Sequence, residues 1–210
     1  MMRLLMWTAG SFLSGSLMFS YWLGLLAKHD LKEKGDGNPG ALNLWRAAGY
    51  GYGLTGIALD FLKGYLPVLA LLHWGGLTGC NLVYPAAAAV LGHMFSPFAG
   101  WRGGKAIAVT FGVWSALTGF EASLAYAVIL ALLLAGFRWI GKGKPSSASS
   151  DGFQVVLGML LLLLFLFLCR YPVELAVFSG VNAVLLAYSH RKELRRYIFR
   201  MKTGHRSSQN

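Results

Sequence analysis

The chain has 210 residues, of which 56% are hydrophobic and only 13% charged, with a mean hydropathy of +0.53. A soluble domain carries about a quarter charged residues, so this composition excludes an ordinary soluble enzyme and indicates an integral membrane protein. The formal net charge of +11 would suit a nucleic-acid binder, but the cations fall between apolar runs rather than on one polar face, which excludes nucleic acid as a partner.

Seven apolar runs are expected to be membrane helices: residues 4–27, 50–74, 81–99, 106–117, 122–140, 153–168 and 172–189. The fold is therefore expected to be all-α, and residues 1–210 a single membrane domain, because no long polar segment interrupts them. With the N-terminus outside, the inner loops hold Lys28, Lys32, Lys34, Arg46, Arg102, Lys105, Arg138, Lys142 and Lys144. The inner tail adds Arg191, Lys192, Arg195, Arg196, Arg200, Lys202 and Arg206, which makes sixteen of the 19 basic residues. Arg3 and Arg170 fall outside and Lys63 within a span. This asymmetry predicts an outside N-terminus and a cytoplasmic C-terminus. The charge is then mainly topological, and the basic tail lies against anionic membrane lipids.

The first run is longer than a signal-peptide core and meets Lys28 without a small-residue cleavage site, so it is read as retained. Next comes "GDGNPGALNLWRAAG", residues 35–49, placed on the cytoplasmic side with Asp36, Asn38, Asn43 and Arg46. "GYGYGLTG" then opens the second span. It is formally G-x-G-x-x-G, but without a preceding strand it reads as close helix packing through small residues, not a dinucleotide site. Asp60 and Lys63 in "DFLKGYLP" share a helix face inside that span. Intramembrane charges face one another or a wet cavity, so an internal ion pair and a ligand site are both open.

The third block is "GHMFSPFAGWRGGKAIAV", with His93, Arg102, Gly103, Gly104 and Lys105. Its two glycines would let backbone N–H groups converge on an anion. Arg and Lys would add a fork and a point charge; an ordinary basic loop is the plain alternative. No metal-ligand spacing surrounds His93. The fourth run is too short to cross about 30 Å of hydrocarbon as an ordinary helix. It is expected either to continue through Gly103-Gly104-Lys105 or to lie buried in protein. Ser123 in "EASLAYA" reads by itself as a packing residue. "GKGKPSSASSD", residues 141–151, reads as a flexible cytoplasmic linker, and residues 190–210 as a basic interfacial tail. Cys80 and Cys169 both fall near the outer face, where pairing is open but buried, inert thiols are expected.

The blocks also resemble, in order, the signatures of the bacterial acyl-phosphate:glycerol-3-phosphate acyltransferases (PlsY). The first is similar to S-G-N-x-G-A-T-N-x-x-R, "DFLKGYLPV" to D-x-x-K-G, "GHMFSPFAGWRGGKAIA" to G-H-x-F-P…G-G-K-G-V-A-T, and "HRKELRR" to H-R-x-N-x-x-R. The resemblance spans essentially the whole chain. It implies transfer of a fatty acyl group from acyl phosphate to the 1-hydroxyl of glycerol 3-phosphate, giving lysophosphatidate for phospholipid synthesis. It also implies no coenzyme A, other cofactor or metal. Carried over residue by residue, it implies catalytic roles for Lys105, His190, Ser123 and His93, and substrate-phosphate binding by Asn38, Gly40, Asn43, Arg46, Lys63, Gly103 and Gly104.

This chain departs from the pattern at several points: Asp36 for serine, Leu42 for threonine, Ala106 for glycine, Val109 for threonine and Glu193 for asparagine. Pro97 is shifted by one position. Two added carboxylates would repel phosphate at low dielectric. The same donor with a different acceptor, and a catalytically silent lipid- or partner-binding paralogue, are therefore the alternatives. A small transporter is disfavoured, since no matched interrupted helices appear. Acyl-chain length and oligomeric state are left open.

Overall fold

Each apolar run folds as helix, because apolar side chains leave the backbone to satisfy its own hydrogen bonds. The computed structural model describes residues 1–143 and 147–206, with side chains through residue 200. Its α-helices are α1 (Met2–Ser16), α2 (Phe19–Leu26), α3 (Ala41–Ala48), α4 (Tyr50–Ala70), α5 (Val83–Met94), α6 (Ile107–Thr118), α7 (Glu121–Ile140), α8 (Ala148–Leu168), α9 (Val173–Ser189) and α10 (Arg191–Arg206). Among the described residues, five segments are long and apolar enough to cross a membrane: Met2–Leu26, Tyr50–Gly75, Gly79–Ala99, Glu121–Ile140 and Ala148–Leu168. A sixth exists only if α9 and α10, bent by 75°, are one span. All seven expected runs are thus helical, but they are not seven helices of membrane length.

The exception is α6, whose 12 residues reach only about 18 Å. It is sheathed in protein, with Val109, Val113 and Trp114 fully buried. The extension through Gly103-Gly104-Lys105 does not occur, because Ala106 sits in the left-handed region at φ 63° and starts the helix there. An L-residue in that conformation costs about 1 kcal/mol, which accounts for glycine being the family's usual residue at this position.

Helices α1 and α5 pack together, as do α4 and α6, and both crossings use glycine. A Cβ on Gly92 would lie 2.2 Å from the Phe12 carbonyl, and one on Gly112 would lie 2.1 Å from that of Phe61. Small-residue packing also explains "GYGYGLTG": a Cβ at Gly53 would strike Trp45, and one at Gly56 would strike Ser20 and Leu44.

The first apolar run is broken. Leu17 is extended between α1 and α2, which releases carbonyls inside the bundle. Ser96 Oγ donates to the Ser16 carbonyl at 2.6 Å, and Lys63 Nζ to that of Leu17 at 2.5 Å. Lys63 also pairs with Asp60 at 2.8 Å, with both side chains almost fully buried. Asp60 in turn accepts from Ser20 Oγ at 2.5 Å. Lys63 therefore caps a broken helix and neutralises Asp60.

Two further expectations change. The proposed linker ends early, because Ser147 caps α8 by accepting from Ser150 N at 3.2 Å, so residues 148–151 are helical. Residues 144–146 of that linker and 207–210 of the tail lie outside the described residues. Cys80 and Cys169 are exposed free thiols rather than buried ones.

Candidate functional site

Two cavities of about 580 and 650 Å³ meet at one end of the bundle. The difference between them is chemical. The first is mostly apolar, with Ile57, Phe61, Ile107, Phe111 and Val155 in its wall, and it also receives Arg46, His93, Lys105 and His190. The second is polar, with Lys32, Arg102, Arg191 and Lys192 around it. Asp36, Asn38 and Lys105 line both.

Helix starts supply much of the first cavity. Gly40 and Ala41 open α3, Ala106 and Ile107 open α6, and Ala148 opens α8; all five line it. The first N–H groups of a helix have no partner within it, and the macrodipole places positive potential there. Three helices thus direct their positive ends at one space that also holds the cations Arg46 and Lys105 and the carboxylates of Asp36, Asp60 and Asp151. Sequence reasoning missed this convergence. The signals were available in Gly40, in the Ser147-x-x-Ser150 cap and in Ala106 before an apolar run, but only tertiary structure joins them.

The loop before α3 is organised by Asn43. Its Nδ2 donates to the Asp36 carboxylate at 2.8 Å, and to the carbonyls of Asn38 at 3.0 Å and Lys34 at 3.2 Å. The side-chain donors of this buried residue are spent on the loop, so Asn43 shapes the site rather than offering its amide to a phosphate. Asn38 lies beside Gly40 and faces both cavities. Arg46, one turn further along α3, is exposed at the first cavity.

The expected amide cradle at Gly103-Gly104 is not formed. Gly103 N donates to the Met94 carbonyl at 3.0 Å and Gly104 N to that of His93 at 3.1 Å. The glycines are there for close approach: a Cβ on Gly103 would sit 1.8 Å from the His93 carbonyl, and one on Gly104 would sit 2.3 Å from His93 Nε2. They pin the segment carrying Lys105 to the end of α5.

Lys105 is held by two carboxylates, Asp36 at 2.6 Å and Glu193 at 2.9 Å. Burial disfavours its ammonium, but the hydrogen bonds and charges of these two partners prevail and hold its pKa above the usual 10.5. Burial likewise opposes the charge on Asp36, while the Lys105 contact and the Asn43 and Asn38 hydrogen bonds hold its pKa below the usual 3.8. The two carboxylates expected to repel phosphate are thus already neutralised in part. Glu193 reaches Lys105 from α10, whose first turn packs on α8 where Gly152 leaves room for the Glu193 side chain.

His190, almost fully buried between α9 and α10, places Nδ1 2.9 Å from the Leu186 carbonyl. Ser189 Oγ stands 3.0 Å from the same nitrogen; in the neutral tautomer that donates from Nδ1 to the carbonyl, Nε2 is the acceptor. His93 is buried at the cavity wall, and its Nδ1 has no partner. Two expected site residues are elsewhere. Lys63 does not line either cavity, being spent on Asp60 and Leu17. Ser123 lies beyond the far end of α6, about 16 Å or more along that helix, where Ser115 Oγ donates to it at 2.8 Å and it donates to the Phe120 carbonyl.

The family model described as glycerol-3-phosphate acyltransferase matches residues 5–200. A Thermotoga maritima protein named glycerol-3-phosphate acyltransferase 1 is 38% identical over 192 residues, covering 89% of this chain and 94% of its own. An Aquifex aeolicus glycerol-3-phosphate acyltransferase is 35% identical over 188 residues, covering 90% and 92%. The crystal structure of PlsY (YgiH), an integral membrane glycerol 3-phosphate acyltransferase, in its glycerol 3-phosphate form superposes with a TM-score of 0.80 at 32% identity, covering 93% of this chain and 92% of that one. Its lysophosphatidic acid form gives 0.78 at 31% identity. With the ordered signatures, the all-helical membrane fold and a match over nearly its whole length, this chain belongs to the glycerol-3-phosphate acyltransferase family.

Proposed function

We propose that this protein transfers a fatty acyl group from acyl phosphate to the 1-hydroxyl of glycerol 3-phosphate, giving lysophosphatidate and inorganic phosphate. The observation that carries the reading is the first cavity: an apolar wall fit for an acyl chain, meeting three helix N-termini, Arg46 and Lys105 at one end. The names of the relatives and the glycerol 3-phosphate form of the solved neighbour agree with it.

The acceptor oxygen adds to the acyl carbonyl carbon, and the carbon–oxygen bond to phosphate then breaks, with the electron pair leaving on phosphate. The hydroxyl proton ends on the released phosphate. His190 Nε2 is the acceptor available to orient that hydroxyl and hold its proton on the way. Arg46 provides a two-pronged grip on phosphate oxygens. Lys105 and the start of α6 offset negative charge building on the carbonyl oxygen or the leaving group. An acyl phosphate is an activated donor, so placing the hydroxyl against its carbonyl supplies much of the acceleration. His93 backs the Gly104 turn, and Asn38 and Gly40 border the phosphate end.

Incubation of the purified protein with palmitoyl phosphate should release phosphate only when glycerol 3-phosphate is present, with equimolar lysophosphatidate. Release that ignores glycerol 3-phosphate would replace this reading by hydrolysis or another acceptor. The same reading sets the site on the cytoplasmic side of the inner membrane, with Cys80 and Cys169 at the outer end. An impermeant thiol reagent applied to intact cells should therefore label the native cysteines. On a background lacking both, it should miss a Ser147→Cys protein until the cells are opened.

A further inference from the structure

We propose that Asp36 and Glu193 stand in for substrate phosphate at Lys105, so that an arriving phosphate must exchange with a carboxylate before Lys105 can hold it. The inference rests on the cavity being the substrate site. It explains the two carboxylates without requiring a different acceptor: they set how tightly the site takes anions.

The geometry is that of a site already filled. Carboxylate oxygens 2.6 and 2.9 Å from Nζ occupy the distances that phosphate oxygens adopt on an ammonium. One cation held between two carboxylates has no free contact to offer, so a phosphate drawn in by the cations of the polar rim finds no open ammonium at Lys105 until a carboxylate withdraws. The trio also stands at the partition of the two cavities, since Lys105 and Asp36 line both and Glu193 lines the polar one. Exchange at Lys105 would thus connect the polar, cation-rimmed cavity with the apolar one.

The two carboxylates are unequally held. Asp36 accepts from Asn43 Nδ2 at 2.8 Å and from Asn38 N at 3.2 Å, besides Lys105, and so is fixed to its loop. For the Glu193 carboxylate, Lys105 is the partner the structure provides. It hangs from the first turn of α10, just past the 75° bend after α9. Glu193 is therefore the carboxylate that leaves. The other charged or titratable groups facing the two cavities are Arg46, Asp60, His93, Asp151 and His190 in the first, and Lys32, Arg102, Arg191 and Lys192 in the polar one, where Arg191 and Lys192 can receive the displaced glutamate.

Glu193→Gln keeps the shape and removes the charge. The KM for glycerol 3-phosphate should fall about tenfold, the size of one charge-assisted contact, and the inhibition constant of inorganic phosphate should fall with it. Half-maximal thermal stabilisation by inorganic phosphate, which needs no turnover, should move to about tenfold lower concentration. Asp36→Asn, on a separate element, should shift all three in the same direction and serves if Glu193→Gln does not fold. Unchanged or weakened phosphate binding in the folded variants would overturn the inference. An inactive native protein whose variants still gain phosphate stabilisation would instead overturn the assigned reaction and leave the exchange at Lys105 standing.

Discussion

Two lysines in this molecule each meet carboxylates, and their settings differ in every other respect. Lys63 and Asp60 are three residues apart on α4 and nearly inaccessible, and they complete the broken end of α1. Lys105 joins Asp36 from the loop before α3 and Glu193 from α10, at the wall between two cavities. The first pair has nowhere to go: every alternative leaves a charge in the protein interior. The second is within reach of water and ligand, and its two partners come from two different elements. An ion pair that also caps a broken helix holds architecture, even though Asp60 touches the first cavity; one shared between two cavities can exchange.

The strongest way to break this contrast is at Asp60. Asp60→Asn leaves Lys63 charged and unpaired, at a cost of about 3–5 kcal/mol. The unfolding midpoint of the extracted protein should fall sharply, or the protein should fail to accumulate in the membrane. A protein of native stability would mean that Lys63 is served by the Leu17 carbonyl alone.

Arg46→Lys probes the other setting. The charge persists but the planar fork is lost, so turnover should drop about tenfold or more, with the unfolding midpoint unchanged. Near-native turnover would reduce Arg46 to a surface cation.

A smaller effect concerns acidity. The lowered pKa of Asp36 contributes stability that is present above the usual 3.8 and is lost as pH falls through the lowered value. The raised pKa of Lys105 contributes stability that is present below the usual 10.5 and is lost as pH rises through the raised value. The bridge therefore supports the fold between those limits, by less than about 1 kcal/mol given its exposure. In Asp36→Asn the part of the acid-side loss of thermal midpoint due to this residue should vanish; an identical acid limb in native and variant would show that the bridge is not maintained in solution.

Ser123→Ala should do least. Its hydroxyl serves Ser115 and the Phe120 carbonyl at the far end of α6, so activity should stay within about twofold while stability falls by about 1 kcal/mol. A large loss of turnover would mean that Ser123 reaches the chemistry.

The sequence carried the helices and the blocks because both depend on local pattern: apolar runs must helix, and ordered signatures survive substitution. It was less informative wherever a residue's partner is remote. The two readings of Asp60 and Lys63 could be separated only once Leu17 was seen to break α1 and expose a carbonyl. Gly103 and Gly104 have the composition of an anion cradle, but their N–H groups are taken by the end of α5. Asp36 and Glu193 looked like obstacles to phosphate until Lys105 was seen between them. Residues 148–151 looked like linker because serines favour both loops and helix caps, and here Ser147 caps.

The most direct test of the site is Lys105→Ala against Lys142→Ala, the second being an exposed cation in the turn after α7. Phosphate release from palmitoyl phosphate in the presence of glycerol 3-phosphate should fall about 10²–10³-fold in Lys105→Ala. It should stay near native in Lys142→Ala, with both proteins monodisperse after extraction. Equal activity in two such folded variants would contradict the assignment of the chemistry to the wall between the two cavities.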